Sequence, residues 1–437
     1  MKYRDKVDVI VVGAGPSGLA CAYTLAKSGV NVVVIERGDY PGAKNMFGGI
    51  FFSPVMEKLF PEYLEEAPWE RFVSKRRFSI LSGDSELAFE MRPGAFNTPP
   101  FNHSFMAKRA KMDRWFASKA EKAGANIICN YCVRDFLYEK GKIVGITSGW
   151  DDDSLLADIV ICAEGANSIL SEKAGLRKRI VPERRSIAVK EIIKLSPEVI
   201  EDRFCVAGKE GAALEFFGDS VKGLLGNGFI YTNHDSISVG VGFSLSDFLK
   251  NVKDKNPNDV LEDFKNHPAV RPYVKDGETI EYLAHMIPSD NYRNLPGLYR
   301  DGLMLVGDAA GLLNASFFHE GVNLAMASGI FAAETAIESI KSKDHSAEML
   351  KLYKDKLDNS FVMKDMKNAK NFISFLYENK SIINDYPALF NDILVDYFGV
   401  SDKSKSEVKK GILKKVLKDV NKTKMASDMW GAFRNLV

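Results

Sequence analysis

The sequence predicts an α/β protein: a Rossmann-like nucleotide-binding domain, a β-sheet domain inserted into it, and a helical C-terminal region. Three observations carry this. Residues 7 to 37, VDVIVVGAGPSGLACAYTLAKSGVNVVVIER, read as strand, glycine loop, helix and strand. A second glycine-and-acid loop, GDAAGLLNASFFHEG, comes nearly three hundred residues later, at 307 to 321. Between them, from about Arg184 to Met286, the pattern turns β-rich, as in GFIYTNHDSISVGVGF, where Ile237, Val239 and Val241 alternate to give one buried face.

In the first element, Gly13-x-Gly15-x-x-Gly18 joins an apolar strand to a helix, the context in which this spacing binds a dinucleotide. Gly13 permits the tight turn, Gly15 lets backbone approach a pyrophosphate, and Gly18 lets helix and strand pack closely. Ala14, Pro16 and Ser17 complete the loop, and the helix start offers N–H groups and positive dipole to a phosphate. Glu36 and Arg37 end the second strand. A carboxylate at Glu36 accepts both ribose hydroxyls and repels a 2′-phosphate.

This loop alone does not separate NAD from FAD. The later one does. A strand near Leu303–Val306 ends in Gly307 and Asp308, and an Ala-rich apolar helix starts near Gly321. Asp308 there is placed to hold a ribityl hydroxyl, and the helix start at Gly321, Val322 and Asn323 to face the electron-rich N1–C2=O edge of a flavin. NAD has no ribityl chain and no use for a second visit. The alternative for Asp308 is an ordinary N-cap or turn residue.

The remaining elements follow in order. FSILSGDSELAFEMR, 78 to 92, looks like a hairpin, and KMDRWFASKAEKA, 111 to 123, a helix. ANIICNYCVRDFLYEKGKIVGITS reads as strands around a Lys-Gly turn, and ADIVICAEGANS as a buried strand. Residues 341 to 437 are helical by pattern. The nucleotide fold is thus discontinuous, over 1–77, 104–183 and 287–340, with 78–103 and 184–286 forming the β-rich domain.

Composition bounds the function. The 437 residues carry a formal net charge of +1, so nucleic acid is not an expected partner. No apolar run reaches the roughly 20 residues of a spanning helix, and acidic Asp5 and Asp8 near the first strand argue against a secretion signal. The expected location is cytoplasmic. Cys129-x-x-Cys132 is the one metal-like spacing among five cysteines, and no second pair completes four ligands. Charge is uneven: residues 401 to 437 hold ten Lys or Arg against four Asp or Glu. Within them KSEVKKGILKKVLKDVNK sets Val408, Ile412, Val416 and Val420 along one helical stripe. Such a helix either lies on an anionic bilayer or packs on its own protein with a solvated lysine face. The apolar stretch GLLGNGFIY, 223 to 231, is either a second lipid-dipping loop or an ordinary hairpin.

Gly13–Gly18, Glu36, Arg109 before the Asp113 helix, ADIVICAEGANS and GDAAG together resemble the p-hydroxybenzoate-hydroxylase-like class of FAD proteins. That resemblance implies that Arg109 touches the phosphate side of FAD and that backbone at Val133 meets the adenine. Bottom-up, Arg109 is otherwise a surface arginine. GAKNMFGGIFFS, 42 to 53, and GFIYTNHDSISVGVG, 228 to 242, look like the FixC (EtfC) branch of the electron-transfer-flavoprotein:quinone oxidoreductases, with likeness over essentially the whole chain. The resemblance makes Lys44, Asn45, Phe47 and Gly48 flavin neighbours. A doubled glycine permits close approach to a planar ring, and a lysine stabilises reduced anionic flavin; a solvated loop charge is the other reading of Lys44.

Departures from the wider class narrow the expectation. Flavin hydroxylases usually carry His after GDAA and a later proline, where this chain has Gly311 and no proline before Gly321. Geranylgeranyl reductases typically show a Trp-Phe-Pro-like signature where this chain has GNGFIYTN. No cysteine follows Cys205, unlike the cluster domain of mitochondrial quinone oxidoreductases. The resemblance therefore implies a separate ferredoxin-like 4Fe–4S (FixX-like) subunit. Electrons would pass from an electron-transfer flavoprotein through that subunit to FAD, and on to ubiquinone or menaquinone at a membrane surface. An isoprenoid-lipid reductase on the same fold and a non-catalytic FAD-bearing scaffold are the alternatives. No catalytic acid or base is singled out; His319 and Glu320 are either proton relays or a solvated loop pair.

Overall fold

A computed structural model describes residues 6–44, 48–148, 154–289, 292–316, 319–419 and 422–436. Among them, eight strands form one sheet and nine a second. The chain opens with β1 (Lys6–Val12), the helix Pro16–Lys27 and β2 (Val32–Ile35). It then crosses to the second sheet with β3 (Gly48–Phe52), β4 (Arg71–Ser82), β5 (Ser85–Met91) and β6 (Ser104–Lys108). The helix Arg109–Lys122 leads back to the first sheet: β7 (Asn126–Ile128), β8 (Val133–Glu139), β9 (Lys142–Ser148) and β10 (Ser154–Cys162). A second excursion adds β11 (Arg185–Lys194), β12 (Glu210–Gly218), β13 (Gly226–Thr232), β14 (Ser236–Ser244) and β15 (Glu278–Pro288). The chain returns finally with β16 (Tyr299–Arg300), β17 (Leu303–Leu305) and the helix Val322–Ser342.

The first sheet runs β16–β17–β10–β1–β2–β7. Its central strands are parallel: β1 pairs β2 and β10, and β10 pairs β17. Val9, Ile10 and Val11, like Ile159, Val160 and Ile161, are fully buried. That is why both segments read as unbroken apolar runs rather than alternating ones. Each such side chain contributes about 1.5–3 kcal/mol of burial free energy. The β8–β9 hairpin turns at Lys140 and Gly141, both at positive φ, as a two-residue turn matched to strand twist requires.

The second sheet runs β15–β11–β14–β13–β12–β4–β6–β3, with β5 on β4. Gly48–Phe52 and Ser104–Lys108, grouped by sequence with the nucleotide-binding pieces, are hydrogen-bonded into this sheet. Sequence periodicity reports that a strand exists, not which partner it finds. One face of the sheet packs Ile237, Val239 and Val241 with Leu214, Phe216 and Phe264 into its own core. The other carries Phe229, Tyr231 and Ala213.

Residues 223 to 231 do not form a lipid-dipping loop. Gly226–Thr232 is β13, an interior strand between β12 and β14, and Leu225 is covered by Phe372 and Leu376. An apolar run bounded by glycines does not by itself distinguish an exposed loop from a central strand.

The last four C-terminal helices are Phe372–Glu378, Asp385–Phe398, Lys405–Asp419 and Lys422–Leu436, after Ala347–Asp358 and Phe361–Asn368. Lys380 ties them to the second sheet's domain through Asp247, at 2.6 Å. In the basic helix, Val408, Ile412 and Val416 are half-buried, and Lys415 pairs with Asp392 and Asp396 of the preceding helix. Val420 lies outside the described residues. Leu413, Leu417, Phe398, Trp430 and Phe433 remain exposed. No helix among the described residues is long and apolar enough to cross a membrane.

Candidate cofactor and substrate site

Each glycine of the first loop answers to a different constraint. Gly13 sits at φ +103°, and a Cβ there would lie 2.4 Å from the carbonyl oxygen of Ala163 at the end of β10. At Gly18 it would lie 2.0 Å from the carbonyl oxygen of Gly13. Gly15 is different. Its backbone is extended (φ −81°, ψ 179°), and the nearest atom to its missing Cβ is Arg109 Nη2, at 3.9 Å. Gly13 and Gly18 are thus glycines for packing, whereas Gly15 keeps a gap open. Pro16 begins the helix and no side chain caps it, so its first-turn N–H groups lack a side-chain acceptor. Pro16, Ser17 and Gly18 are buried, as is Ala14.

Glu36 directly follows β2 and turns its carboxylate back to this loop. Oε2 accepts from the N–H of Ala14 at 2.8 Å and Oε1 from that of Gly38 at 2.6 Å. Arg37 is exposed. The Tyr131 N–H donates to the Glu36 carbonyl at 2.9 Å, bringing the segment leading to Val133, the first residue of β8, alongside the end of β2.

Arg109 opens its helix and meets Asp113 one turn on through two parallel bonds: Nε to Oδ1 at 2.8 Å and Nη2 to Oδ2 at 2.7 Å. Burial works against its charge, but the Asp113 carboxylate outweighs it and holds the guanidinium above its usual range. Asp113 is fully buried. A helix position alone does not reveal it as the counter-ion.

The late loop reaches the early one. Gly307 is at φ +61°, and a side chain there would begin 2.7 Å from Ser17 Oγ; on the helix Val322–Ser342, a Cβ at Gly329 would lie 2.1 Å from the Ser17 carbonyl oxygen. Burial pushes the Asp308 carboxyl above the usual carboxylate range, against the pull of Arg109 and Arg177. Gly321 precedes a helix start that no side chain caps, and Val322 is half-buried. Asn323 is buried and accepts from the Val55 N–H at 3.1 Å while donating to Glu320 at 2.7 Å. The Glu320 carboxylate is therefore engaged within its own loop. Lys44 is exposed, Gly48 begins β3, and Asn45 and Phe47 lie outside the described residues.

Two further features were not legible in the sequence. Glu164, in AEGAN, accepts from the N–H groups of Leu170 and Ser171 at 2.8 and 2.7 Å, fixing the turn after β10. Buried Glu215 and half-buried Arg76 form a pair on the second sheet, Arg76 Nη2 donating to Oε1 at 3.1 Å. Only the side-chain register of β12 against β4 brings them together. Cys129 and Cys132 are free thiols, and no cluster of metal-ligating side chains occurs among the described residues.

Two uncapped helix starts, a glycine gap facing a fixed guanidinium, and two loops in contact are what a long, twice-phosphorylated nucleotide needs. With the fold, they define an FAD-dependent oxidoreductase. Solved structures share the architecture. A geranylgeranyl bacteriochlorophyll reductase-like protein from Thermoplasma acidophilum superimposes with a TM-score of 0.72 at 20% identity, over 96% of this chain and 100% of that one. The flavin-dependent brominase Bmp2 gives 0.65 at 19%, over 95% and 100%. Protein FixC of Bradyrhizobium diazoefficiens is 40% identical over 419 residues, 95% of each chain. The probable electron transfer flavoprotein-quinone oxidoreductase YdiS of Escherichia coli K12 is 40% identical over 410 residues, 94% of each. Residues 372–436 match the ETF-QO/FixC family C-terminal domain, and residues 1–68 match the Thi4 family model. The chain belongs to the ETF-QO/FixC family.

Proposed function

We propose that this chain accepts electrons originating in an electron-transfer flavoprotein, by way of a ferredoxin-like 4Fe–4S partner, and passes them to ubiquinone or menaquinone. The observation that carries the reading is 40% identity to FixC proteins along 95% of the chain, joined to a site built for a large dinucleotide. FAD exchanges one or two electrons, as a junction between a one-electron carrier and a quinone demands.

In this reading the N–H groups at Gly13–Gly18 hold the pyrophosphate, with Arg109 on its outer side. Glu36 and Arg37 serve the adenosine ribose, and backbone at Val133 the adenine. Asp308 holds the ribityl chain, and the helix start at Gly321–Asn323 faces the flavin ring, with Lys44, Asn45, Phe47 and Gly48 beside it. The Arg109–Asp113 pair keeps the guanidinium fixed before the cofactor arrives, so little ordering cost remains. Exposed Trp430, Phe433, Leu413 and Leu417, with Lys409, Lys410 and Lys414 nearby, suit a peripheral position on the cytoplasmic membrane, where quinone is dissolved.

The test is quinol formation from a reduced electron-transfer flavoprotein, the ferredoxin-like partner and a short-chain quinone. Turnover that requires this chain supports the reading. No quinol formation, with saturation of a polyprenyl chain instead, would assign an isoprenoid-lipid reductase.

A further inference from the structure

The second sheet holds a charged pair that has no part in the cofactor site. Glu215 lies on β12 with its side chain 2% exposed, bound to Arg76 of β4. The pair is incomplete: Glu215 Oε2 and Arg76 Nε are buried without a hydrogen-bond partner among the described residues. Leaving such atoms unmatched costs stability, and a pair kept only for the fold gains nothing from open positions. Glu215 stands directly across from Phe229 of β13 in the sheet register, and Phe229 stacks on Tyr231 at 4.9 Å between ring centres. The carboxylate therefore borders an aromatic wall. From the loop after Gly307–Gly311, His319 brings Nδ1 to 3.9 Å from Glu215 Oε1, an ion-pair distance too long for a direct hydrogen bond. His319 has a φ of +47°, a left-handed conformation uncommon outside glycine.

Burial alone would push the Glu215 carboxyl up, but contact with His319 and the charges of His319 and Arg76 prevail and hold it below the usual range. The carboxylate thus remains ionised opposite the imidazole. Glu320 beside it is turned to Asn323; Glu215 from β12 faces His319, with Arg76 from β4 behind it.

We propose that His319 is the acid that protonates a carbonyl oxygen of a quinone-class ring, with Glu215 and Arg76 as its positioning residues. This rests on the quinone-reductase reading above. Forming a quinol takes two electrons and two protons. The electrons come from the reduced flavin. One proton comes from His319: its Nε2–H bond breaks, an O–H bond forms on the ring oxygen, and the neutral imidazole regains a proton from water, which its 39% exposed side chain reaches. The second proton is drawn from solvent. Nδ1 faces the carboxylate, which leaves Nε2 for the substrate.

The test uses the FAD-loaded full chain, decylubiquinone as the probe, and the variants His319→Gln and Glu215→Gln. His319→Gln sits on a partly exposed loop and should load FAD like the parent. It should bind the probe within about threefold by flavin absorbance, yet reduce it about 100-fold more slowly. Glu215→Gln should lower kcat with little change in KM, because the imidazole loses the carboxylate that positions it. A His319→Gln variant that keeps its rate within about threefold overturns the proposal, as does loss of FAD in that variant. If the parent chain itself fails to reduce the probe, the quinone-reductase reading falls, and the proposal with it.

Discussion

Arg109 Nη2 stands 3.9 Å from the point at which a side chain on Gly15 would begin, and the same nitrogen donates to Asp113 Oδ2 at 2.7 Å. Gly15 is extended rather than left-handed, so a β-branched residue is compatible with the backbone, and a Cβ there would have Arg109 Nη2 as its nearest protein atom. Gly15→Val should therefore fold with the melting temperature of the flavin-free parent but bind no FAD. Gly13→Val and Gly18→Val, whose side chains would begin 2.4 and 2.0 Å from carbonyl oxygens, should not fold. Acid-released flavin and thermal melts of the three proteins check this; normal loading of Gly15→Val would remove the pyrophosphate from this loop.

Removing Arg109 alone strands a buried carboxylate. Arg109→Met should lose about 3–5 kcal/mol of stability as well as most FAD affinity. Adding Asp113→Leu should restore much of the stability but none of the affinity. Urea titrations with flavin content on the same samples separate the two roles, and recovery of FAD in the double variant would contradict the assignment of Arg109.

Acid should act through Glu215. Its folded-state carboxyl titrates below the ordinary glutamate value, so the unfolded chain takes up the proton first as pH falls. The stabilisation is complete above about pH 4.3 and is lost as pH drops through the lower folded value. The stability gap between the parent and Glu215→Gln should be constant near neutrality and narrow below about pH 4.3. A gap independent of pH down to about 3, well below that ordinary value, would mean that folding does not lower the Glu215 carboxyl.

The purified single chain should contain no iron. Cys129 and Cys132 are free, and Cys132 is exposed at the edge of the first sheet's hairpin. Metal analysis showing near-stoichiometric iron would remove the reason for a separate ferredoxin-like partner.

Lys409, Lys410 and Lys414 are exposed on the helix Lys405–Asp419, whereas Lys415 is held by Asp392 and Asp396. At about 1 kcal/mol per lysine near an anionic surface, reversing the three exposed residues to Glu should weaken liposome binding by at least about 100-fold. Raised salt should weaken the parent likewise, and FAD content should stay unchanged. Binding that is indifferent to all three charges would reduce this helix to a solvated face.

The α/β class was readable along the chain because its signals are local. A fully buried parallel strand must be continuously apolar, as Val9–Val12 and Ile159–Cys162 are. A two-residue hairpin must tolerate positive φ, as Lys140-Gly141 does, and a strand–loop–helix turn of this tightness must place glycine at Gly13 and Gly18. Backbone sterics act over a few residues, so sequence alone determined them. What depends on meeting across the fold was not readable in this way. The strands Gly48–Phe52 and Ser104–Lys108 join the second sheet only because hydrogen-bond partners hundreds of atoms away along the chain are presented at the right register. The apolar run 223 to 231 became an interior strand because β12 and β14 flank it and Phe372 and Leu376 cover Leu225. Glu215, Arg76 and His319 lie far apart in sequence and share no motif; only tertiary packing set a buried carboxylate between a guanidinium and an imidazole, because the energy of a charge is decided by its neighbours and its burial, and neither is written in local spacing.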